Sequence, residues 1–84
     1  MRVRKYLLYK NIFATPIRRN IVWSDVVSLI EALGGTIIHG NGSRVRFSLN
    51  GVSLNIHSPH PQKELKRYQV KDVGTFLLRA GIKK

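Results

Sequence analysis

The stretch that decides the fold is residues 43–57, which read SRVRFSLNGVSLNIH. Apolar and polar residues alternate on both sides of Asn50-Gly51, and this period of two is typical of strands with one buried face. An Asn-Gly pair between two such runs is a strong signal for a two-residue type I′ turn, because that turn needs positive φ at both positions. The stretch therefore predicts an antiparallel β-hairpin.

A two-residue turn also fixes which residues of the hairpin lie opposite each other. The predicted apolar pairs are Leu49 with Val52, Phe47 with Leu54, and Val45 with Ile56. The predicted pairs on the other face are Ser48 with Ser53, Arg46 with Asn55, and Arg44 with His57. The hairpin therefore has an apolar face for helices to cover and a face that displays arginine, asparagine and histidine.

Two helices are predicted before the hairpin. Residues 4–13 are rich in apolar side chains and predict a first helix, and residues 17–22 predict an extended linker. Residues 23–33 carry apolar side chains at helical spacing, with Ser24 as the expected N-cap and Gly34-Gly35 as the stop. The amino-terminal part of the chain is therefore expected to be largely helical.

One more strand and one more helix complete the predicted fold. Residues 36–39 are expected to form a strand, and residues 69–80 a helix that ends at Gly81. Its predicted apolar stripe consists of Val70, Val73, Phe76, Leu77 and Ala80. We expect an α+β fold of order α-α-β-β-β-α, with a three-stranded antiparallel sheet and helices on one face. The 84 residues allow one domain, in which residues 1–22 are a helical extension plus linker.

Charge dominates the composition. The 15 Lys and Arg residues outnumber the 4 Asp and Glu residues and give a formal net charge of +11. A small domain of this charge attracts polyanions, so nucleic acid is the expected partner. The alternatives are a surface that only confers solubility and one that binds an acidic protein. The absence of cysteine excludes disulfides and cysteine nucleophiles and fits a reducing cytoplasm. Lys10 and Asn11 interrupt the first apolar stretch, so no membrane segment is expected.

Several enzyme chemistries lack their residues. The carboxylates occur singly and without a His/Cys cluster, so we expect neither a metal nor another cofactor. The segment 40–43 is glycine-rich but lies between strands and lacks the lysine of a phosphate-binding loop. Ser43 and Ser58 have no orienting acid at a recognisable spacing, which argues against a serine hydrolase.

A series of short motifs runs from Trp23 to the end of the chain. The motifs are the helix 23–33 with its Gly-Gly end, Gly42-Ser43, Asn50-Gly51, His57-Ser58-Pro59-His60-Pro61, and residues 76–82. In their order and spacing these motifs resemble the HicA toxin family. The resemblance implies a toxin of a bacterial toxin-antitoxin pair, with a dsRBD-like (double-stranded-RNA-binding-domain-like) α-β-β-β-α fold. It further implies mRNA cleavage without a metal, and inhibition by a HicB-like antitoxin protein. Residues 4–13 would then be an addition to the common fold.

One departure from the family's pattern matters for the site. The family has a Gly-Ser-His pattern, whereas Gly42-Ser43 is followed here by Arg44. The hairpin puts His57 across the ladder from Arg44, with Cβ atoms about 5 Å apart. We therefore predict that His57 replaces the family histidine in catalysis and that Arg44 and Arg46 hold the scissile phosphate. The simpler interpretation is that His57 is an exposed residue at the end of a strand.

His60 is the second catalytic candidate, because flanking prolines hold it in an extended connection. The alternative is that this run only shapes the turn into the last helix. His39, at the end of the first predicted strand, is expected to be a solvent-exposed residue. The residues predicted to bind RNA are Arg44, Arg46, Asn55, Lys63, Lys66 and Arg67. The predicted function is an endoribonuclease of the HicA type, and the alternatives are a non-catalytic RNA-binding module and an interaction protein for an acidic partner.

Overall fold

The computed structural model describes residues 10–13, 21–60 and 62–82. Its helices are α1, described at residues 10–12, α2 (Trp23–Ala32) and α3 (Arg67–Arg79). Its strands are β1 (Thr36–His39), β2 (Arg44–Leu49) and β3 (Val52–His57). They form one antiparallel sheet of order β1-β2-β3. The predicted α+β class and the order α-α-β-β-β-α are therefore confirmed.

The turn between β2 and β3 has the geometry that its residues predict. Asn50 has φ 51° and Gly51 has φ 80°, so both central positions are in the left-handed region that a type I′ turn requires. All six predicted residue pairs of the hairpin are present in the ladder. The Asn50 side chain also donates a 2.8 Å hydrogen bond from Nδ2 to Ala80 O at the end of α3. The turn is thereby joined to the end of the last helix.

The core lies between the apolar face of the sheet and the helices. Phe47 at the centre of β2 is fully buried. Its ring stacks on Trp23 of α2 at a centroid distance of 5.4 Å and contacts Phe76 of α3 at 6.4 Å. All five residues of the predicted stripe on the last helix are buried. Both long helices therefore cover one face of the sheet and leave the other open.

The start of α2 differs from the prediction. Val22 is the N-cap and no side chain caps the helix, so the expectation that Ser24 is the cap is wrong. Val22 forms a β-bridge with Glu64, and Trp23 N donates to Lys63 O at 2.8 Å. A remote segment thus satisfies the first free amide of the helix, which made a local cap unnecessary.

Helix α3 begins two residues before the predicted position 69. The cause is Gln69 in its first turn, whose side-chain Oε1 accepts a 3.0 Å hydrogen bond from Lys66 N. This bond satisfies an amide at the helix start that would otherwise lack a partner. The helix ends as predicted before Gly81, which has φ 87°.

The end of α1 packs against the middle of α3. Ile12 is only 4% exposed and belongs to the core. It lies next to Gly74, where an added Cβ would be 3.7 Å from both Ile12 Cγ2 and Phe13 Cε1. The predicted start of the first helix and most of the linker lie outside the described residues. The division of the chain into one domain with an extension at residues 1–22 stays a prediction.

Candidate nucleic-acid interface

The face of the sheet away from the helices carries three cross-strand rows of residues. The ladder defines them as Arg44 opposite His57, then Ile38–Arg46–Asn55, then Thr36–Ser48–Ser53. We call them the histidine row, the arginine–asparagine row and the hydroxyl row, and together they are the open face. All of these residues are exposed except Ser48, which is half-buried. The alternation of β2 produces this arrangement, because successive side chains point to opposite faces of a sheet.

In the histidine row, the imidazole has one nitrogen engaged and one open. His57 Nδ1 lies 3.1 Å from Ser43 Oγ, and none of the described residues hydrogen-bonds to Nε2. A partner on Nδ1 orients the ring and influences which nitrogen carries the proton. The contact therefore leaves Nε2 as the nitrogen available to a substrate on the open face.

The main chain around His57 is held from two sides. Ser58 N donates to Ser43 O at 2.8 Å, which extends the hairpin ladder past the end of β3. The His57 carbonyl accepts a 2.8 Å hydrogen bond from Gln69 Nε2, and Gln69 is only 3% exposed. His57 is thus an exposed side chain on a backbone that both the sheet and α3 restrain.

In the arginine–asparagine row, Arg46 Nε donates a 3.0 Å hydrogen bond to Asn55 Oδ1. This bond restrains one edge of the guanidinium group, and its terminal N–H groups have no partner among the described residues. The same holds for the amide N–H groups of Asn55, of which only the oxygen is used in this part of the chain. The row therefore presents several donors toward solvent.

An open depression of about 610 Å³ joins these two rows. It is lined by Ile38, Gly40, Arg44, Val45, Arg46, Asn55, Ile56 and His57. Two guanidinium groups and one imidazole line it together with apolar surface, and no carboxylate is among the lining residues. An added Cβ at Gly40 would lie 3.3 Å from Arg44 Cβ, so the glycine keeps space open beside that arginine. The depression has the charge and donors to bind a phosphate group.

The remaining predicted site residues lie outside the depression. His60 and Lys63 are exposed in the connection after β3, and Lys66 and Arg67 are exposed at the start of α3. The connection borders the end of β3, because the Gln69 amide group bonds to both His57 O and Lys66 N. The predicted RNA-binding residues therefore form two adjoining groups rather than one.

His39 is exposed, as expected, but it is in register with Val45 and so belongs to the other side of the sheet from His57. His39 is therefore close to the site but is not part of it.

Three features of the site were not predicted from the sequence: the contact of Ser43 with the imidazole, the exposure of Ile38, and the buried Gln69. Ser43 immediately precedes β2, so its position opposite the end of β3 was a usable signal. Ile37 and Ile38 are equally apolar neighbours, so their pattern does not tell which one packs against the core and which one is exposed. Gln69 is a polar residue beside an apolar stripe, and only the fold reveals its partners.

The described residues include no group of three or more His, Asp or Glu side chains arranged to hold a metal ion. Within the same part of the chain, no helix has the length and hydrophobicity to cross a membrane.

The fold and the open face define a class: a small basic α+β domain with a histidine and two arginines on the uncovered side of its sheet. A family model described as the HicA toxin of bacterial toxin-antitoxin systems matches residues 23–82. The chain therefore belongs to the HicA toxin family. The match begins at the first residue of α2, so α1 precedes the matched region. Comparison with curated proteins and with solved structures gave no match.

Proposed function

We propose that the protein is a metal-independent endoribonuclease that cleaves mRNA as the toxin of a toxin-antitoxin pair. The observation that carries this proposal is the pairing of Arg44 with His57 on the open face, where Ser43 Oγ contacts Nδ1 of the imidazole. The net charge of +11 and the membership of the family also support it.

The proposed reaction uses the RNA's own nucleophile. The 2′-oxygen attacks the neighbouring phosphorus and loses its proton to Nε2 of His57, while the bond from phosphorus to the 5′-oxygen breaks. The products are a 2′,3′-cyclic phosphate and a 5′-hydroxyl. Arg44 and Arg46 stabilise the negative charge that develops on the phosphate oxygens, because guanidinium donors match their geometry.

The leaving 5′-oxygen must gain a proton. Its source is either His60, the second candidate imidazole, or a water molecule on the open face. His60 is exposed and outside the depression, three residues after His57. A His60→Ala variant distinguishes the two sources, because loss of a general acid slows cleavage by about 100-fold or more, whereas a water route leaves the rate unchanged.

The second group of cations extends the proposed RNA path. Lys63, Lys66 and Arg67 would bind phosphates of the strand on one side of the cleaved bond, and Asn55 would bind the nucleotide at the site. Contacts of this kind position the RNA and make binding depend on salt. Neutralising one of these three cations is expected to weaken binding similarly for all RNA sequences.

The partner in this proposal is a HicB-like antitoxin, and the place of action is the cytoplasm, where mRNA is translated. The strong positive charge favours an acidic antitoxin that covers the open face. Expression of the chain alone is expected to arrest growth, and co-expression of an acidic protein from a neighbouring reading frame is expected to restore it. Growth that continues on expression of soluble protein would contradict the toxin assignment.

The biochemical test is incubation of the purified protein with an RNA transcript in EDTA. Cleavage is expected to proceed and to leave 2′,3′-cyclic phosphate ends. A transcript with 2′-deoxynucleotides at the cleaved positions should remain intact, because it lacks the nucleophile. Cleavage that EDTA abolishes, or that continues at the deoxy positions, would contradict the mechanism.

A second candidate function is a non-catalytic RNA-binding module, which the arginine in place of the family histidine favours. That protein would bind RNA with strong salt dependence and cut nothing. A third outcome is an interaction protein for an acidic partner, which would bind RNA no better than other polyanions. The EDTA incubation, combined with a binding titration against heparin, separates the three.

A further inference from the structure

The arginine–asparagine row differs from the rows on either side of it. The histidine row supplies a guanidinium and an imidazole, and the hydroxyl row supplies three uncharged hydroxyl side chains. The middle row alone combines a large apolar side chain, Ile38, with a restrained guanidinium, Arg46. Its position beside the histidine row suggests a different role from phosphate binding.

Ile38 is informative because of where it lies. Single exposed apolar residues are common on protein surfaces and need no explanation. Ile38, however, is 55% exposed at the wall of a cationic depression, directly across the ladder from Arg46. An isoleucine there offers nothing to a phosphate, but it offers van der Waals contact to a flat apolar surface.

Arg46 supplies a flat surface in the same row. Its Nε–H group is bonded to Asn55 Oδ1 at 3.0 Å, so the guanidinium plane is restrained from one edge. A guanidinium plane stacks on nucleobases, and restraint in advance reduces the entropy lost on binding. Ile38 and Arg46 together thus form a platform that fits the face of a base.

We propose that the arginine–asparagine row binds the base of an unpaired nucleotide next to the scissile phosphate. This inference rests on the proposed function and names the form of RNA that the site takes. The Cα atoms of residues two apart on a strand are separated by about 6.6 Å, so the Cα atoms of Arg44 and Arg46 lie that far apart along β2. This spacing matches the separation of a phosphate from its own base within one nucleotide.

The platform selects single-stranded over double-stranded RNA. In a duplex the base faces are stacked on each other and only edges reach the grooves. Ile38 therefore gains contact area only from a base that has left a helix. Because every base has such a face, this contact is expected to tolerate different sequences.

The test is a binding titration with a short mixed-sequence RNA whose 2′-hydroxyls are methylated, so that it cannot be cleaved through them. The same oligonucleotide annealed to its complement is the duplex probe. The wild-type protein is expected to prefer the single strand, and Ile38→Ala is expected to weaken single-strand binding by about five- to tenfold. The salt dependence of Ile38→Ala should equal that of wild type, because no phosphate contact is lost.

Matched variants separate the contact of Ile38 with a base from other causes of weaker binding. Ile38→Phe keeps an apolar side chain and adds a flat ring, so it is expected to bind the single strand at least as tightly as wild type. Thr36→Ala in the hydroxyl row and Leu78→Ala on α3, where Leu78 is 45% exposed, should bind like wild type. Arg44→Ala should weaken binding and lower the salt slope by about 1, which marks a phosphate contact instead.

Three results would overturn the inference. They are unchanged single-strand affinity in Ile38→Ala, duplex binding by the wild type as tight as single-strand binding, and a wild-type protein that binds neither probe. Failure of the proposed function gives a different pattern. In that case the protein binds the single strand through Ile38 but leaves a cleavable transcript intact.

Discussion

Gln69 of α3 donates a 2.8 Å hydrogen bond from Nε2 to the carbonyl oxygen of His57, across the boundary between the last helix and the end of β3. Its Oε1 accepts from Lys66 N at 3.0 Å, and the side chain is only 3% exposed. One buried amide therefore joins the strand that carries the imidazole to the basic connection that follows it.

Replacing Gln69 with leucine is expected to destabilise the fold. The change keeps the side-chain size but leaves His57 O and Lys66 N without their partner, which costs about 1–3 kcal/mol. Urea unfolding measures the loss, and Gln62→Leu at an exposed glutamine is the control, expected within about 0.5 kcal/mol of wild type. Equal stability of the two variants would show that the buried amide contributes nothing.

Two glycine-to-alanine substitutions are expected to have opposite effects. A Cβ at Gly35 would lie 2.6 Å from Ile30 Cγ2 and 2.8 Å from Ser48 O, so the β2 backbone would have to shift. We expect Gly35→Ala to cost about 1–3 kcal/mol. Among the described residues, none has an atom closer than 3.7 Å to a Cβ added at Gly74, and alanine favours a helix by about 1 kcal/mol. Thermal unfolding in which Gly74→Ala is the more destabilised variant would contradict this packing.

Ser43→Ala is expected to slow RNA cleavage while leaving the fold intact. The hydroxyl lies 3.1 Å from His57 Nδ1, and its loss removes a partner that orients the ring. A hydrogen bond contributes about 0.5–1.5 kcal/mol, which corresponds to a rate lower by about two- to thirteenfold. The control is Ser48→Ala, which removes a hydroxyl that lies 3.4 Å from Ser53 Oγ. Equal rates of RNA cleavage for the two variants would show that the Ser43 hydroxyl does not contribute to catalysis.

Exchanging the two residues of the histidine row is expected to preserve activity in part. Arg44→His combined with His57→Arg returns histidine to the position after Gly42-Ser43 and keeps a guanidinium opposite it. The double variant should cleave RNA at least about tenfold faster than His57→Arg alone, because it retains a general base. A double variant no faster than the single one would show that the two strand positions are not equivalent.

Much of the fold followed from local sequence. The Asn50-Gly51 turn fixed the hairpin and its pairs, and the ladder places Arg44 opposite His57 as that turn requires. The helix-stop glycines 34 and 81 lie in the left-handed region where the helices end. These features were predictable because each depends on residues close together in the chain.

Features that depend on remote contacts could not be read in this way. The start of α2 is set by residues 63–65, some 40 positions later, rather than by Ser24. The pair Ile37-Ile38 gives no alternation, so only the assembled sheet shows that Ile38 is exposed on the open face. Likewise, the burial of Gln69 depends on the end of β3.

The most direct test of the account compares RNA cleavage in EDTA by His57→Ala and His39→Ala. Both histidines are exposed at strand ends, but only His57 belongs to the open face, so the pair separates catalysis from the general loss of an imidazole. His57→Ala is expected to cleave at least about 100-fold more slowly than wild type, because it lacks the general base, while His39→Ala is expected to be unaffected. A His57→Ala protein that is folded and cleaves at the wild-type rate would contradict this expectation.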